Sequence, residues 1–124
     1  MSNYGITPSV EIVSHSQIVD MSGIQARGLY DWDQGKIYIS SQVDLTTIHG
    51  MSVVLHEMVH HYQSTEGLFA SYDCRNASEL LAYETQKQFL TAMKASMMIE
   101  MDPLFIGAAS TCHSDTHKRL VKAE

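Results

Sequence analysis

The sequence predicts an α+β fold, with a small sheet first and helices after it. Three observations predict it. Up to residue 40, short runs rich in valine, isoleucine and tyrosine alternate with polar residues or flank a turn-forming stretch. From Asp44 the apolar spacing lengthens to three and four, the period of a helix with one buried face. A second stripe of that period begins after Asn76. No internal repeat, low-complexity tract or linker interrupts the chain, so residues 1–124 are expected to form one domain.

The elements follow in order. Pro8 introduces the first strand, VEIVS over residues 10–14. Ser14 can cap a short helix, HSQIVDM, which Gly23 ends. Two β-prone segments, around 25–30 and 36–40, flank Asp31-Trp32-Asp33-Gln34-Gly35, and aspartates with a glycine between such runs predict a hairpin. The sheet should therefore be small, and antiparallel or mixed. The first long helix starts beyond Asp44 and stops at Gly67. Its stripe of Met51, Leu55, Met58, Val59 and Tyr62 is expected to pack on the core, with His56, Glu57 and His60 on an adjoining face. A second long helix should start near Asn76 or Ser78, either of which can cap it. Its stripe runs Glu79, Ala82, Tyr83, Gln86, Phe89, Leu90, Met93 and Met97. Asp102-Pro103 breaks the pattern, LFIGAA opens a third, shorter helix, and the tail from Thr111 is polar.

Composition narrows the function classes. Apolar residues make up 44% and charged residues 18%, as in a globular chain. Fourteen acidic against eight basic residues give a formal charge of −6, and no basic cluster is present, which argues against a nucleic-acid partner. No apolar run reaches membrane-spanning length. The first residues, MSNYGITPSVEI, lack the charged segment and apolar core of a signal peptide, which leaves a cytoplasmic protein or an exported (periplasmic or secreted) domain without its leader. Cys74 and Cys112 are the only cysteines; they are either reduced thiols or a disulfide joining the middle of the chain to its tail. Neither has a C-x-x-C neighbour.

Chemistry concentrates in VVLHEMVHHYQ, residues 53–63, where His56, Glu57 and His60 spell H-E-x-x-H. On a helix, i and i+4 lie one turn apart on one face, so two imidazoles can aim at one point, where zinc accepts nitrogen at about 2.0–2.1 Å. Glu57 is placed to hydrogen-bond a water on that metal and take its proton. His61, about 100° around the helix from His60, is expected to stand aside, and His49 to lie at the surface or serve the helix entry. Catalytic zinc usually takes three protein ligands and keeps a fourth position open. The extended pattern H-E-x-x-H-x-x-G-x-x-H does not apply, because Gln63 and Glu66 occupy its glycine and final histidine places. Asp73 lacks the motif that would carry an aspartate ligand. That leaves Glu79, with Glu84 as a rival about 140° away on the same helix.

Around Glu79 the chain resembles the gluzincins, the thermolysin-like group of zinc peptidases whose third ligand is a glutamate on a second helix. Their second motif, glutamate followed three residues later by a small residue, is matched by Glu79-Leu80-Leu81-Ala82. Where many gluzincins then carry an aspartate that supports the first histidine ligand, this chain has Tyr83. With its short length and its hairpin ahead of the H-E-x-x-H helix, the whole resembles the single-domain minigluzincins over roughly residues 10–100. The resemblance implies one zinc ion per chain on His56, His60 and Glu79, and Glu57 as general base. It also implies an extended peptide or protein substrate laid along an edge strand. The larger C-terminal subdomain of thermolysin-like enzymes is absent, and with it the usual stabilisers of the transition state; Tyr83, Tyr38, His113 and His117 are the substitutes to test. The function expected is zinc-dependent peptide-bond hydrolysis. The alternative is an inactive or latent zincin-like module with a structural zinc, acting in binding or regulation.

Overall fold

Ser14 separates the first strand from the first helix. In the computed structural model, which describes residues 7–95, 103–112 and 122–123, β1 spans Ser9–Val13 and α1 spans His15–Ser22. Ser14 stands between them as the expected cap: its hydroxyl accepts from Gln17 N, and the Gln17 side chain bonds back to Ser14 N, a complete capping box. Recruiting Ser14 as a cap moves the strand one residue earlier than its alternation predicts.

β2 (Gly28–Asp31) and β3 (Lys36–Ser40) form the expected hairpin. Asp31 Oδ1 accepts from Asp33 N at 2.9 Å and Gln34 N at 3.2 Å, and Gly35 N donates to Asp31 O at 2.8 Å. Gly35 sits at φ +65, a conformation that favours glycine. β1 runs parallel to β3, so the sheet is mixed, and its order is β1-β3-β2-β4. The last of these, β4 (Lys122–Ala123), lies antiparallel on β2, opposite Leu29 and Tyr30.

The two faces of the sheet bury different clusters. Leu29 joins Val13, Ile18 and Ala26, with Tyr38 packed against them beside α1. Tyr30, Ile37 and Ile39 face the opposite way and meet Val53. Val53 belongs to α2 (Ile48–Thr65), whose first turn is capped by Thr47 Oγ1 accepting from Gly50 N at 2.9 Å. Val10 and Ile12, on the edge strand β1, remain 44% and 50% exposed.

Helix α2 is where the expected packing is overturned. Met51, Met58 and Tyr62 of the apolar stripe are exposed, at 42%, 41% and 55%, and Leu55 and Val59 are only half-buried. The face turned inward carries Ser52, Val53, His56, Glu57, His60 and Gln63. The physical reason is the polar cluster itself: α2 turns its histidines toward α3, so the apolar stripe is rotated outward.

α3 spans Glu79–Ala92 after a short 3-10 turn at Arg75–Ser78. Ser78 occupies the cap position, but it is already helical and its hydroxyl donates to Arg75 O instead of capping. Glu79, Ala82, Tyr83, Gln86 and Leu90 are buried as the stripe predicts, whereas Met93 is exposed beyond the helix end and Met97 lies outside the described residues. α4 (Pro103–Ala109) places Ile106 against Tyr83 and Leu90. Cys74 and Cys112 form a disulfide that ties the entry to α3 to the chain beyond α4. Among the described residues, no helix is long and apolar enough to cross a membrane.

Candidate metal centre

His56 and His60 project from one face of α2, and Glu79 is the first residue of α3, which packs across that face. The meeting is close. His56 Nε2 lies 2.9 Å from Glu79 Oε1, and His60 Nε2 lies 3.2 Å from the same oxygen. A ligand atom from each of the three residues falls within 4.8 Å of the others. Tetrahedral zinc with bonds of about 2.05 Å would hold its ligand atoms roughly 3.3 Å apart, close to the 2.9 and 3.2 Å that separate Glu79 Oε1 from the two imidazole nitrogens. All three side chains are buried, and Glu79 Oε2 has no hydrogen-bond partner. The donor set, the spacing and that orphaned oxygen fit a divalent cation.

Electrostatics agree with the geometry. Burial pushes the Glu79 carboxyl up, but His60 and His56, through charge and hydrogen bonding, outweigh it and bring the group down to about 2. The centre thus favours an ionised carboxylate facing positive charge. A buried carboxylate needs such compensation, which protons on the imidazoles or a metal ion can supply.

Two glutamines stand behind the histidines. His56 Nδ1 is 3.0 Å from Gln86 Oε1, and His60 Nδ1 is 2.9 Å from Gln63 Oε1. Gln63 lies one turn beyond His60 on α2; Gln86 lies two turns beyond Glu79 on α3. Neither was singled out by the H-E-x-x-H pattern, although their helical spacing from a ligand was a readable signal.

Glu57 is also fully buried, toward the sheet. A Cβ at Gly28 of β2 would sit 3.1 Å from Glu57 Oε2, so the missing side chain of this strand residue is what makes room for the carboxylate. On the other side of the cluster, the Trp32 ring lies 5.5 Å from that of His60, 5.2 Å from Tyr30 and 4.8 Å from Phe69, with the Arg75 guanidinium over Trp32 and Phe69. Trp32 Nε1 is buried without a hydrogen-bond partner.

The remaining expected residues are placed as follows. Tyr83 packs edge-on against His56, with ring centroids 4.4 Å apart, in the position where gluzincins tend to have the supporting aspartate. Tyr38 packs with the Val13–Ile18 cluster, on the sheet face away from α2, so the fold does not bring it to Glu57. His113 and His117 lie outside the described residues. His61 does not join the ligand cluster. Its Nδ1 lies 2.8 Å from the Tyr30 hydroxyl, and burial raises the Tyr30 phenol above its ordinary value. Glu84 and Asp73 are exposed, away from the ligand atoms. His49 lies in the first turn of α2, at the helix entry as expected, and lines a cavity of about 280 Å³ with His15, Arg27 and Ser40.

No curated protein and no solved structure matches the chain. One family model does, over residues 2–118, which takes in His56, His60, Glu79 and both glutamines behind the histidines; the chain belongs to the family described as a domain of unknown function, DUF6647.

Proposed function

We propose that this protein is a zinc-dependent metallopeptidase of gluzincin type. The observation that carries the reading is the convergence of His56 Nε2, His60 Nε2 and Glu79 Oε1 at a buried point, beside a carboxylate, Glu57, that is not one of the three. Two imidazoles and one carboxylate are a catalytic donor set, because three protein ligands leave a fourth position open. Bound zinc would supply Lewis acidity, making water nucleophilic near neutral pH and polarising a peptide carbonyl. His56, His60 and Glu79 hold the ion. Glu57 takes a proton from the attacking water and delivers it to the leaving amine. The substrate class is an extended peptide or protein segment, and no nucleic acid is expected at a chain of charge −6.

Metal content and turnover test this together. Wild-type protein reconstituted with zinc and dialysed should retain one equivalent, and His60→Ala and Glu79→Ala should retain none. Glu57→Gln should keep the zinc and lose hydrolysis of unstructured peptides. A wild type that holds no zinc, or equal turnover by wild type and Glu57→Gln, overturns the reading.

One observation favours the second reading, a latent zincin-like module. His56, Glu57, His60 and Glu79 are at most 1% exposed, and the outer edge of β2, the strand nearest Glu57, already carries β4. A peptide added to that edge has to displace Lys122–Ala123. Removal of residues 122–124 separates the two: the latent module gains hydrolytic activity on truncation, whereas a constitutive peptidase shows the same turnover with or without them.

A further inference from the structure

The two glutamines behind the histidines admit only one arrangement of protons. Gln63 Nε2 lies 3.0 Å from Ser78 O and 3.2 Å from Tyr72 OH. A backbone carbonyl can only accept, so the amide nitrogen must face Ser78 and the amide oxygen must face His60. An amide oxygen also only accepts, so His60 Nδ1 carries the proton. The same logic runs through Gln86. Ser52 Oγ donates its single proton to His49 O at 2.6 Å, and must therefore accept from Gln86 Nε2 at 3.1 Å. Gln86 Oε1 then faces His56, whose Nδ1 donates. Both imidazoles are left with Nε2 turned toward Glu79 and available as a ligand. Gln63, Gln86, Ser52 and Ser78 are all fully buried, so no bulk water can take over these bonds.

The same bonds brace the two helices. Gln63, on α2, reaches Ser78 at the entry to α3. Gln86, on α3, reaches His56 and Ser52 on α2. Each glutamine thus orients a histidine and fixes the helix that carries Glu79. Both are also uncharged. Of the two kinds of acceptor that commonly support a ligating imidazole, a carbonyl leaves it less electron-rich than a carboxylate does.

We propose that Gln63 and Gln86 are the positioning residues of the metal centre, locking His60 and His56 as Nδ1–H tautomers and leaving Glu79 as the one negative charge on the ligand set. This rests on the metal reading, and its test separates the two. Zinc affinity, by competition with a chromogenic chelator, and the visible spectrum of the cobalt(II)-loaded protein are compared for wild type, Gln63→Leu, Gln86→Leu, Gln63→Glu and Gln86→Glu. The leucine variants should bind zinc about tenfold to a hundredfold more weakly. The glutamate variants accept the same N–H and add charge, but lose the amide N–H given to Ser78 O or Ser52 Oγ, so they should bind zinc more tightly than the leucine variants, with cobalt bands displaced from those of wild type. Leucine variants that bind like wild type, or glutamate variants that bind no better than leucine, overturn the proposal while leaving the metal reading standing. A wild type that takes up no zinc overturns both. Should the leucine variants fail to fold, long-range proton–nitrogen spectra of zinc-loaded wild type decide the matter. His56 and His60 should each show a proton on Nδ1 and the metal on Nε2, and the opposite tautomer at either residue overturns the proposal.

Discussion

Glu57 illustrates how a neighbour with no side chain can make room for a buried carboxylate. Its carboxylate lies against Gly28, where an added Cβ would come within 3.1 Å of Oε2 and 3.2 Å of both Glu57 Cγ and Ile39 Cδ1. Those contacts are tight enough that something must give by a few tenths of an ångström. Two of the three contacts are to Glu57 and one is to Ile39, so part of the displacement falls on the Glu57 side chain. A displacement of about 1 Å at a catalytic group can cost a hundredfold in rate, so a smaller one should cost about tenfold. Gly28→Ala is therefore expected to keep its zinc and its fold while kcat on a peptide substrate falls by about that factor. Equal kcat at equal zinc content would show that Glu57 is not held by β2. At this scale the meeting of His56, His60 and Glu79 was legible, because i, i+4 histidines and a glutamate three residues before a small residue have a helical meaning of their own. Gly28 was not legible, since a glycine in a strand announces neither a buried carboxylate beside it nor a direction.

Helix α2 shows where an element departs from its own hydrophobic pattern. Met51, Met58 and Tyr62 recur at the spacing of a buried stripe, yet the buried face is the one bearing His56, His60 and Gln63. Periodicity reports which residues share a face; it does not say which face finds a partner when a polar cluster can be satisfied internally. The helix N-terminus holds a second feature hidden from pattern reading. Gly50 approaches the Asp44 carbonyl so closely that an added Cβ would stand 1.9 Å from its oxygen. That carbonyl accepts from Thr47 N at 3.2 Å and Thr47 Oγ1 at 2.8 Å, and Thr47 caps the helix by accepting from Gly50 N. Alanine is a better helix former than glycine by about 1 kcal/mol. Overpacking costs about 1–3 kcal/mol, and loss of a cap about 1 kcal/mol more. Gly50→Ala should thus destabilise by about 2 kcal/mol, read as a lower urea midpoint with an unchanged m-value; a raised midpoint would mean that the loop at Asp44 moves aside freely. By contrast, the hairpin and the Ser14 cap were legible because their signals are local: the bonds of Asp31, Gly35 and Gln17 close within four residues.

Across the whole molecule, the order of strands before helices was readable, while the joining of distant segments was not. The parallel pairing of β1 with β3 and the return of Lys122–Ala123 to β2 are nonlocal, and no local residue pattern encodes the partner. The disulfide belongs to the same class, since two cysteines show that a bond is available without showing whether the fold brings them together. Here it does, closing a separation of 38 residues with Cα atoms 5.8 Å apart, and Asn76 Nδ2 donates to Thr111 O at 3.0 Å beside it. The closed loop contains the whole of α3, with Glu79 five positions after Cys74. By loop-closure entropy a loop of that length would stabilise the fold by about 4 kcal/mol, and measured losses on removing such bonds are typically about 2–4 kcal/mol. Reduction should therefore lower the urea midpoint of wild type, and should leave the Cys74→Ser/Cys112→Ser double variant, already shifted by the same amount, unaffected. It should also weaken zinc binding, because the tether that seats the start of α3 holds Glu79 across from His56 and His60. Two free thiols in the mass of oxidised protein, or a wild-type midpoint insensitive to reductant, would remove the disulfide from the account. A lowered midpoint with unchanged zinc affinity would show instead that the α2–α3 contacts seat Glu79 without it.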